Sequence, residues 1–312
     1  MSYKHKSRTG FTLVELLVSL VIISILAALS LSGLSAVRRR SREEATRTTI
    51  RKIHEIIVPQ YESYLDKRVS QQAVGFEHVP TIGERADCYF AGPPPRALGR
   101  RIFAFRKLAA IRRTLAVELP DNWADVGDLS PPLLPRWVVP SQFESGITTS
   151  FMNYKVGSDA ANASAECLYM ICLLSGFQPE SMENFRSQEI GDVDADGKPE
   201  FIDAWGKPIA FIRCPVGFSG SLTGNNTAEH DPFDPDQIDV AAFRVMPLIF
   251  SAGLDQEYGL VMELPTATAS VGGSIVDMSS LTLCDRNARS SFGSSTGPAS
   301  QDNISNHDLI TR

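Results

Sequence analysis

The segment between residues 192 and 203 carries carboxylates at the spacing of a calcium-binding loop. With Asp192 as position one, Asp194 and Asp196 fall at positions three and five, where such loops place oxygen ligands. A glycine follows at position six, Lys198 offers its backbone carbonyl at position seven, and Asp203 stands at position twelve in place of the usual Glu. Carboxylates crowded this closely repel one another unless a cation lies among them. The spacing therefore predicts a Ca²⁺ site at these five residues, and the alternative is an acidic turn solvated by water.

A further acid, Glu15, lies in an otherwise apolar stretch. Residues 16–37 carry no charge, and a helix of that length, at about 1.5 Å per residue, crosses the roughly 30 Å hydrocarbon core of a bilayer. An acid at membrane depth costs about 2.5 to 3.5 kcal/mol on insertion scales, so it needs a partner inside an assembly. If the chain is cut between Gly10 and Phe11, the new α-amine of the same or a neighbouring subunit comes within reach of Glu15. The alternative is a carboxylate that extends to the lipid headgroups.

The N-terminal residues resemble the type III signal of type IV pilins and pseudopilins. A basic leader ends in Gly10, and Phe11-Thr-Leu-Val-Glu15 opens the apolar stretch. In that family a membrane-embedded aspartyl peptidase cuts after the glycine and methylates the new N-terminal Phe, and the Glu four residues later guides subunit stacking. The resemblance implies cleavage between Gly10 and Phe11, methylation of Phe11 and an assembly role for Glu15.

The same resemblance implies a location and partners. It indicates a single-pass protein of the bacterial inner membrane with its globular domain outside the cytoplasm, in the periplasm. The implied partners are the prepilin peptidase, other pilin-like subunits of a filament, and an inner-membrane assembly platform. Four arginines between residues 38 and 42 follow the apolar stretch, so flanking charge alone leaves the orientation undecided. The type III signal decides it.

Two later segments resemble the C-terminal domain of the major pseudopilin of type II secretion systems. One is Asp203-Ala-Trp-Gly-Lys-Pro208, and the other is Ser251-Ala-Gly-Leu-Asp255, with Glu257 as the nearest following acid. This resemblance favours a structural subunit of a secretion pseudopilus, with calcium bound among the nearby loops. The alternatives are a surface type IV pilin, a DNA-uptake subunit, and a membrane-tethered calcium-binding module that does not polymerise.

Composition argues against other classes of function. A formal net charge of −6 over 312 residues does not favour nucleic-acid binding. No nucleophile elbow, Walker loop, HExxH or dinucleotide fingerprint occurs, so the sequence indicates no enzyme. The five cysteines lack metal-ligand spacing, and disulfides remain open. Cys167 and Cys172 lie in an apolar run and are expected to pack as buried hydrophobes.

The elements that must position these residues form an α+β fold, in which a long transmembrane and amphipathic N-terminal helix packs on a small antiparallel β-sheet. Apolar residues recur at spacings of three and four between Ile50 and Tyr64, so the helix continues with one apolar face, and Pro59 is expected to end or kink it. Residues 163–175 predict a short buried helix stopped by a glycine. Residues 209–212 and 248–250 are predicted as strands.

The chain divides into segments by composition. The basic stretch 96–119 is expected to form a solvated helix face, and the alternative is contact with a membrane or acidic partners. His307 is expected to be exposed in a Ser- and Gly-rich tail, and the alternative is a role as a ligand. The segments are a leader at 1–10, a transmembrane helix at 11–37, its amphipathic continuation at 38–65, an irregular and helical insertion at 66–165, a C-terminal pilin-like β domain with the calcium loop at 166–265, and a flexible tail at 266–312.

Overall fold

The structure is a computed structural model of the chain. It describes residues 12–66, 104, 107–108, 111–112, 114–126, 146–158, 161–177, 179–218, 226–237, 242–262 and 293–309. The predicted cleavage pair, Gly10 and Phe11, lies outside these residues. The chain forms two compact units, Met1–Glu44 and Ala45–Arg312.

Helix α1, Leu13–Ser63, is 51 residues long and contributes to both units. In the described part of the chain it is the one helix long and apolar enough to cross a membrane. The apolar side chains of its first part are exposed, for example Leu13 at 81% and Leu29 at 65%. Exposed apolar area on this scale requires lipid or other helices to cover it. The first part of α1 therefore matches the predicted membrane segment.

The second part of α1 belongs to the core of the second unit. Ile50, Ile53 and Ile57 are fully buried there, as their spacing predicts. The helix does not end at Pro59, since it continues to Ser63. Pro59 lies on the exposed face, and the following turn is held because the Tyr61 hydroxyl donates to the carbonyl of Val245 at 2.8 Å.

Two shorter helices follow, α2 at Gly146–Lys155 and α3 at Ala163–Leu174. Helix α3 confirms the predicted buried helix, and Gly176 after it has the positive φ of 69° that a glycine stop requires. Cys167 and Cys172 on α3 are buried and free, as expected. Cys214, further along the chain, is disulfide-bonded.

The described strands pair antiparallel throughout, which confirms the α+β class. They form a pair β1–β2, a three-stranded sheet in the order β3–β6–β7, and a pair β4–β5. The predicted strands near residues 209–212 and 248–250 are β3 and β6. The bounds are β1 Ile190–Gly191, β2 Glu200–Phe201, β3 Ala210–Ile212, β4 Asn226–His230, β5 Phe243–Arg244, β6 Leu248–Ser251 and β7 Ile304–Ser305.

The three-stranded sheet is buried on both faces. Phe211 of β3 lies opposite Ile249 of β6, and both side chains enter the main core together with α1 and α3. Their neighbours on the other face, such as Phe250, form a second apolar cluster with partly buried side chains that include Tyr258. Because side chains alternate along a strand, the sheet separates the two clusters.

The basic stretch differs from the expected solvated helix face. Within the basic stretch, Leu115 and Leu119 are buried in the main core, and Arg112 is buried in an ion pair with Asp231 at 2.6 Å. Arg112 therefore does not lie on a solvated face. Composition could not predict the burial of Arg112, because its partner Asp231 is 119 residues away in the sequence.

The C-terminal segment also differs from the expected flexible tail. Strand β7 pairs with β6 at the edge of the sheet. Asn306 accepts a hydrogen bond from the backbone N–H of Ile249 at 2.9 Å, and His307 is 1% exposed with Nε2 at 3.2 Å from the carbonyl of Pro247. The expectation of an exposed His307 is wrong because the segment completes the hydrogen bonding of a sheet edge.

The burial of His307 predicts a loss of stability in acid. Burial lowers the pKa of His307, and His54 lowers it further, against the hydrogen bond to Pro247 and the charge of Asp308. Since the unfolded state then binds the proton more readily, stability contributed by neutral His307 is lost as pH falls below about 6.5. In His307→Gln, the decline of the melting temperature between pH 7.5 and pH 5.5 should be shallower than in the wild type. An identical decline would contradict this assignment.

Candidate functional site

Glu15 lies in the first turn of α1 and caps its own helix. Its Oε2 accepts hydrogen bonds from both the backbone N–H and the hydroxyl of Thr12, each at 3.1 Å. The Thr12 hydroxyl oxygen in turn accepts from the backbone N–H of Glu15 at 3.3 Å. This reciprocal pairing is a capping box, and the spacing Thr-x-x-Glu in the sequence is its signal. The carboxylate is therefore fixed at the positive end of the helix dipole.

The other polar side chains at the start of α1 are satisfied within the helix. The hydroxyl of Ser19 donates to the carbonyl of Glu15 at 2.9 Å, and that of Ser24 donates to the carbonyl of Leu20 at 2.8 Å. These bonds hide the serine hydroxyls from an apolar surrounding. Glu15 is thus the one charged side chain between residues 13 and 37.

The acidic loop between β1 and β2 is organised by its own carboxylates. Asp192 accepts from the backbone N–H of Gly197 at 3.0 Å, and Asp196 accepts from that of Lys198 at 2.7 Å. The loop turns through positive φ angles at Ala195, 62°, and at Gly197, 89°. The ammonium of Lys198 lies over the Tyr154 ring, 4.8 Å from its centroid.

Asp203, the predicted ligand at position twelve, has another role in the structure. It is 3% exposed, and its Oδ1 accepts from the backbone N–H groups of Trp205 and Lys207, both at 2.9 Å. Its Oδ2 accepts from the hydroxyl of Ser251 at 2.6 Å. Asp203 therefore holds the Trp-Gly turn and joins it to the end of β6.

The structure brings a different acid to the loop. Single carboxylate oxygens of Glu166, Asp194 and Asp196 all lie within 4.8 Å of one another. Of the predicted ligands, this group contains Asp194 and Asp196 and leaves out Asp192 and Asp203. Glu166 comes from the first turn of α3 and is completely buried.

Two oxygens of this acidic group are buried and have no hydrogen-bond partner, Oε1 of Glu166 and Oδ1 of Asp194. The other oxygen of Glu166 accepts from the indole N–H of Trp123 at 2.8 Å. Trp123 is held in place because the Arg213 guanidinium donates to the carbonyl of Leu119 at 2.8 Å and to Asp125 at 2.9 Å on either side of it.

A fourth acid, Glu200 on β2, lies next to the group and is also completely buried. It accepts from the backbone N–H of Val193 at 3.1 Å. The amide of Asn162 donates to Asp194 at 2.7 Å and lies 3.4 Å from Glu200. These contacts orient the acidic loop against the start of α3.

Burial and mutual repulsion act on these acids together. Burial raises the pKa of Glu166 to about 7, and the charges of Asp196, Asp194 and Glu200 add to the rise against the Trp123 hydrogen bond. Burial likewise raises the pKa of Glu200 to about 7, with the loop aspartates adding to it. Sequence reasoning missed both glutamates. The available signal was Glu166 itself, an acid within an apolar run that was predicted to be buried.

The loop after β6, where the resemblance also implied calcium, holds a carboxylate from the chain itself. Asp302 accepts from the backbone N–H groups of Leu254 at 2.7 Å and Asp255 at 3.0 Å. Asp255 accepts from the backbone N–H of Glu257 at 2.9 Å. The C-terminal segment is thereby fastened to this loop.

Comparison with known proteins identifies the N-terminal region. The family model described as the prokaryotic N-terminal methylation motif matches residues 5–31. Neither the curated proteins nor the solved structures contain a match to the chain. The chain therefore carries the prepilin-cleavage signal of type IV pilins and pseudopilins. The signal supports a type IV pilin-like subunit that is processed by prepilin peptidase and assembles with other such subunits, and with α1 it is consistent with inner-membrane anchoring.

The close approach at Gly253 predicts a large effect of one added methyl group. Gly253 has φ 71°, and a Cβ there would lie 2.3 Å from the carbonyl oxygen of Asp302. Gly176 has φ 69° with nothing within 4 Å, so it is a matched control. Gly176→Ala should cost about 1 kcal/mol from backbone strain alone, and Gly253→Ala should cost at least about 2 kcal/mol. Urea unfolding of the full-length chain in detergent measures both values.

Equal costs for the two substitutions would contradict the fastening of the C-terminal segment to this loop. An increased protease sensitivity near residue 302 in Gly253→Ala alone would support it, because the substitution displaces the Asp302 backbone.

Proposed function

We propose that this chain is a structural subunit of a type II secretion pseudopilus, cut by prepilin peptidase and assembled into a filament that serves protein secretion. The observation that carries the proposal is the methylation motif at the head of α1, whose first part is apolar and exposed. The second part of the same helix packs into a folded unit. A subunit that is held in the membrane and carries a folded domain needs one helix segment that contacts lipid and another that packs into the domain.

Assembly through α1 follows from the surface that it exposes. In the membrane, lipid covers the apolar side chains, and in a filament the same side chains of neighbouring subunits cover one another. In the filament as in the membrane, Glu15 needs a partner, because an isolated charge in an apolar surrounding is costly. The α-amine that cleavage creates at Phe11 provides this partner. In the single chain the carboxylate rests on Thr12, which lies next to that amine in the sequence.

The secretion role rests on the C-terminal domain. The Asp-Ala-Trp-Gly-Lys-Pro turn before β3 is built around Asp203, whose second oxygen bonds Ser251 at the end of β6. The two segments that resemble the major pseudopilin are therefore joined through one buried carboxylate. This arrangement supports the secretion pseudopilus over a surface pilin or a DNA-uptake subunit. No catalytic motif in the sequence competes with a structural role.

We place the second unit outside the cytoplasm, in the periplasm. The disulfide at Cys214 supports this orientation, because such bonds persist in oxidising compartments and are rare in the cytosol. The inner-membrane assembly platform would then meet the cytoplasmic end of α1.

Substitution of Glu15 tests polymerisation. Glu15→Leu should leave membrane insertion normal, because it makes the apolar segment more hydrophobic. Filament formation should fall at least about tenfold, since one partner of the intersubunit charge pair is lost. Cross-linking and electron microscopy of sheared filaments measure assembly, and membrane fractionation measures insertion.

The matched control is Glu43→Gln on the same helix. Glu43 forms an exposed ion pair with Arg39 at 2.9 Å, and such surface pairs contribute little stability. The Glu43→Gln variant should assemble as the wild type does. Normal filaments in Glu15→Leu would exclude the polymerising subunit and favour the membrane-tethered module.

Deletion of the gene in its native host tests which filament the subunit serves. The proposal expects exported proteins to accumulate in the periplasm while surface motility and DNA uptake stay at wild-type levels. Normal secretion with loss of motility or DNA uptake would replace the pseudopilus by the corresponding alternative.

A further inference from the structure

We propose that the second unit binds one calcium ion between the start of α3 and the acidic loop, with Glu166, Asp194 and Asp196 as its carboxylate ligands. In the loop predicted from sequence, position twelve supplies the closing ligand. In the proposed site, Glu166 of α3 takes the place of that ligand. Asp203 instead accepts hydrogen bonds from the turn before β3 and from Ser251. The inference stands independently of the filament function.

The spacing of the oxygens fits a single ion. Calcium takes oxygen ligands at about 2.3 to 2.6 Å, so two ligands of one ion are at most about 5 Å apart. One oxygen from each of Glu166, Asp194 and Asp196 satisfies this limit, since all lie within 4.8 Å of one another. Surface acids also gather by chance, so spacing alone does not make a site.

The independent observation is the state of Glu166. Glu166 is 0% exposed, and its Oε1 is buried and has no hydrogen-bond partner. Oδ1 of Asp194 is in the same state. Leaving a buried acceptor unsatisfied costs about 1 to 3 kcal/mol, and more for a charged group. A cation held by Glu166 and Asp194 would satisfy both groups.

No basic side chain in the described part of the chain forms an ion pair with Glu166, Asp194 or Glu200. The nearby ammonium of Lys198 lies instead over the Tyr154 ring. Within the described residues, no basic side chain therefore compensates Glu166 or Glu200, and both are completely buried.

The chemistry of the ligands selects the ion. Every candidate ligand is a carboxylate, and Glu200 adds a further one next to the cluster. Hard oxygen ligands favour Ca²⁺ or Mg²⁺ over Zn²⁺, which prefers His and Cys. Several carboxylates drawn from a helix and a loop suit the larger, geometrically tolerant Ca²⁺ better than Mg²⁺, which retains water. Asn162 and the Val193 backbone orient Asp194 and Glu200 as outer partners.

Titration of the metal-free, full-length protein in detergent with CaCl₂ tests the site. By calorimetry the wild type should bind calcium at a single site, and its melting temperature should rise with calcium. Glu166→Gln keeps the size of the side chain and an acceptor for Trp123 but removes the charge. It should weaken binding at least about tenfold and abolish the calcium-dependent rise.

Three further variants make the test decisive. Asp194→Asn should weaken binding as Glu166→Gln does, and it replaces that variant if Glu166→Gln fails to fold. Asp255→Asn removes an acid from the loop after β6 and should bind as the wild type does. In Asp203→Asn, a lowered melting temperature with unchanged calcium affinity is expected.

Specific outcomes overturn the proposal. One is no heat of binding and no change in melting temperature in the wild type at millimolar calcium. Another is wild-type affinity in both Glu166→Gln and Asp194→Asn. A loss of affinity in Asp203→Asn with none in Glu166→Gln would return the site to the twelve-residue loop.

Discussion

The structure depends on one helix, α1, whose two parts need different surroundings. The first part of α1 exposes apolar side chains, such as Leu13 and Leu29, while its second part contributes fully buried isoleucines to a folded core. The exposed apolar part gains free energy when it is covered, and Ile50, Ile53, Ile56 and Ile57 complete the core of the second unit. Glu15 is the one charged side chain between residues 13 and 37, and we propose that whatever covers this apolar surface also provides a partner for its carboxylate.

Polar contacts between residues distant in sequence join the second part of α1 to the rest of the second unit. Glu189 accepts from the ammonium of Lys52 at 2.8 Å and from the hydroxyl of Thr49 at 2.8 Å, and Thr46 accepts from the backbone of Ala204 at 3.1 Å. The turn around Asp203 is thus tied both to α1 and to β6. These bonds link the part of α1 that lies in the second unit to the three-stranded sheet.

Local signals in the sequence were sufficient for α1, α3, β3 and β6. Their periodicity, the glycine stop at Gly176 and the apolar runs depend on nearby residues only. Contacts between distant residues could not be predicted in this way. The edge strand β7 is two residues long within a polar tail, and Arg112 is paired with a distant Asp231. At the acidic loop, spacing predicted Asp194 and Asp196, but the meeting with Glu166 depends on how α3 packs on β2.

The most direct test of the account is mass spectrometry of the N-terminal peptide of the protein isolated from its native membrane. The account predicts a chain that begins at Phe11 and carries one methyl group, about 14 Da, on its α-amine. That amine is the partner that we propose for Glu15. A chain that retains residues 1–10, or that begins well after Phe11, would contradict the account.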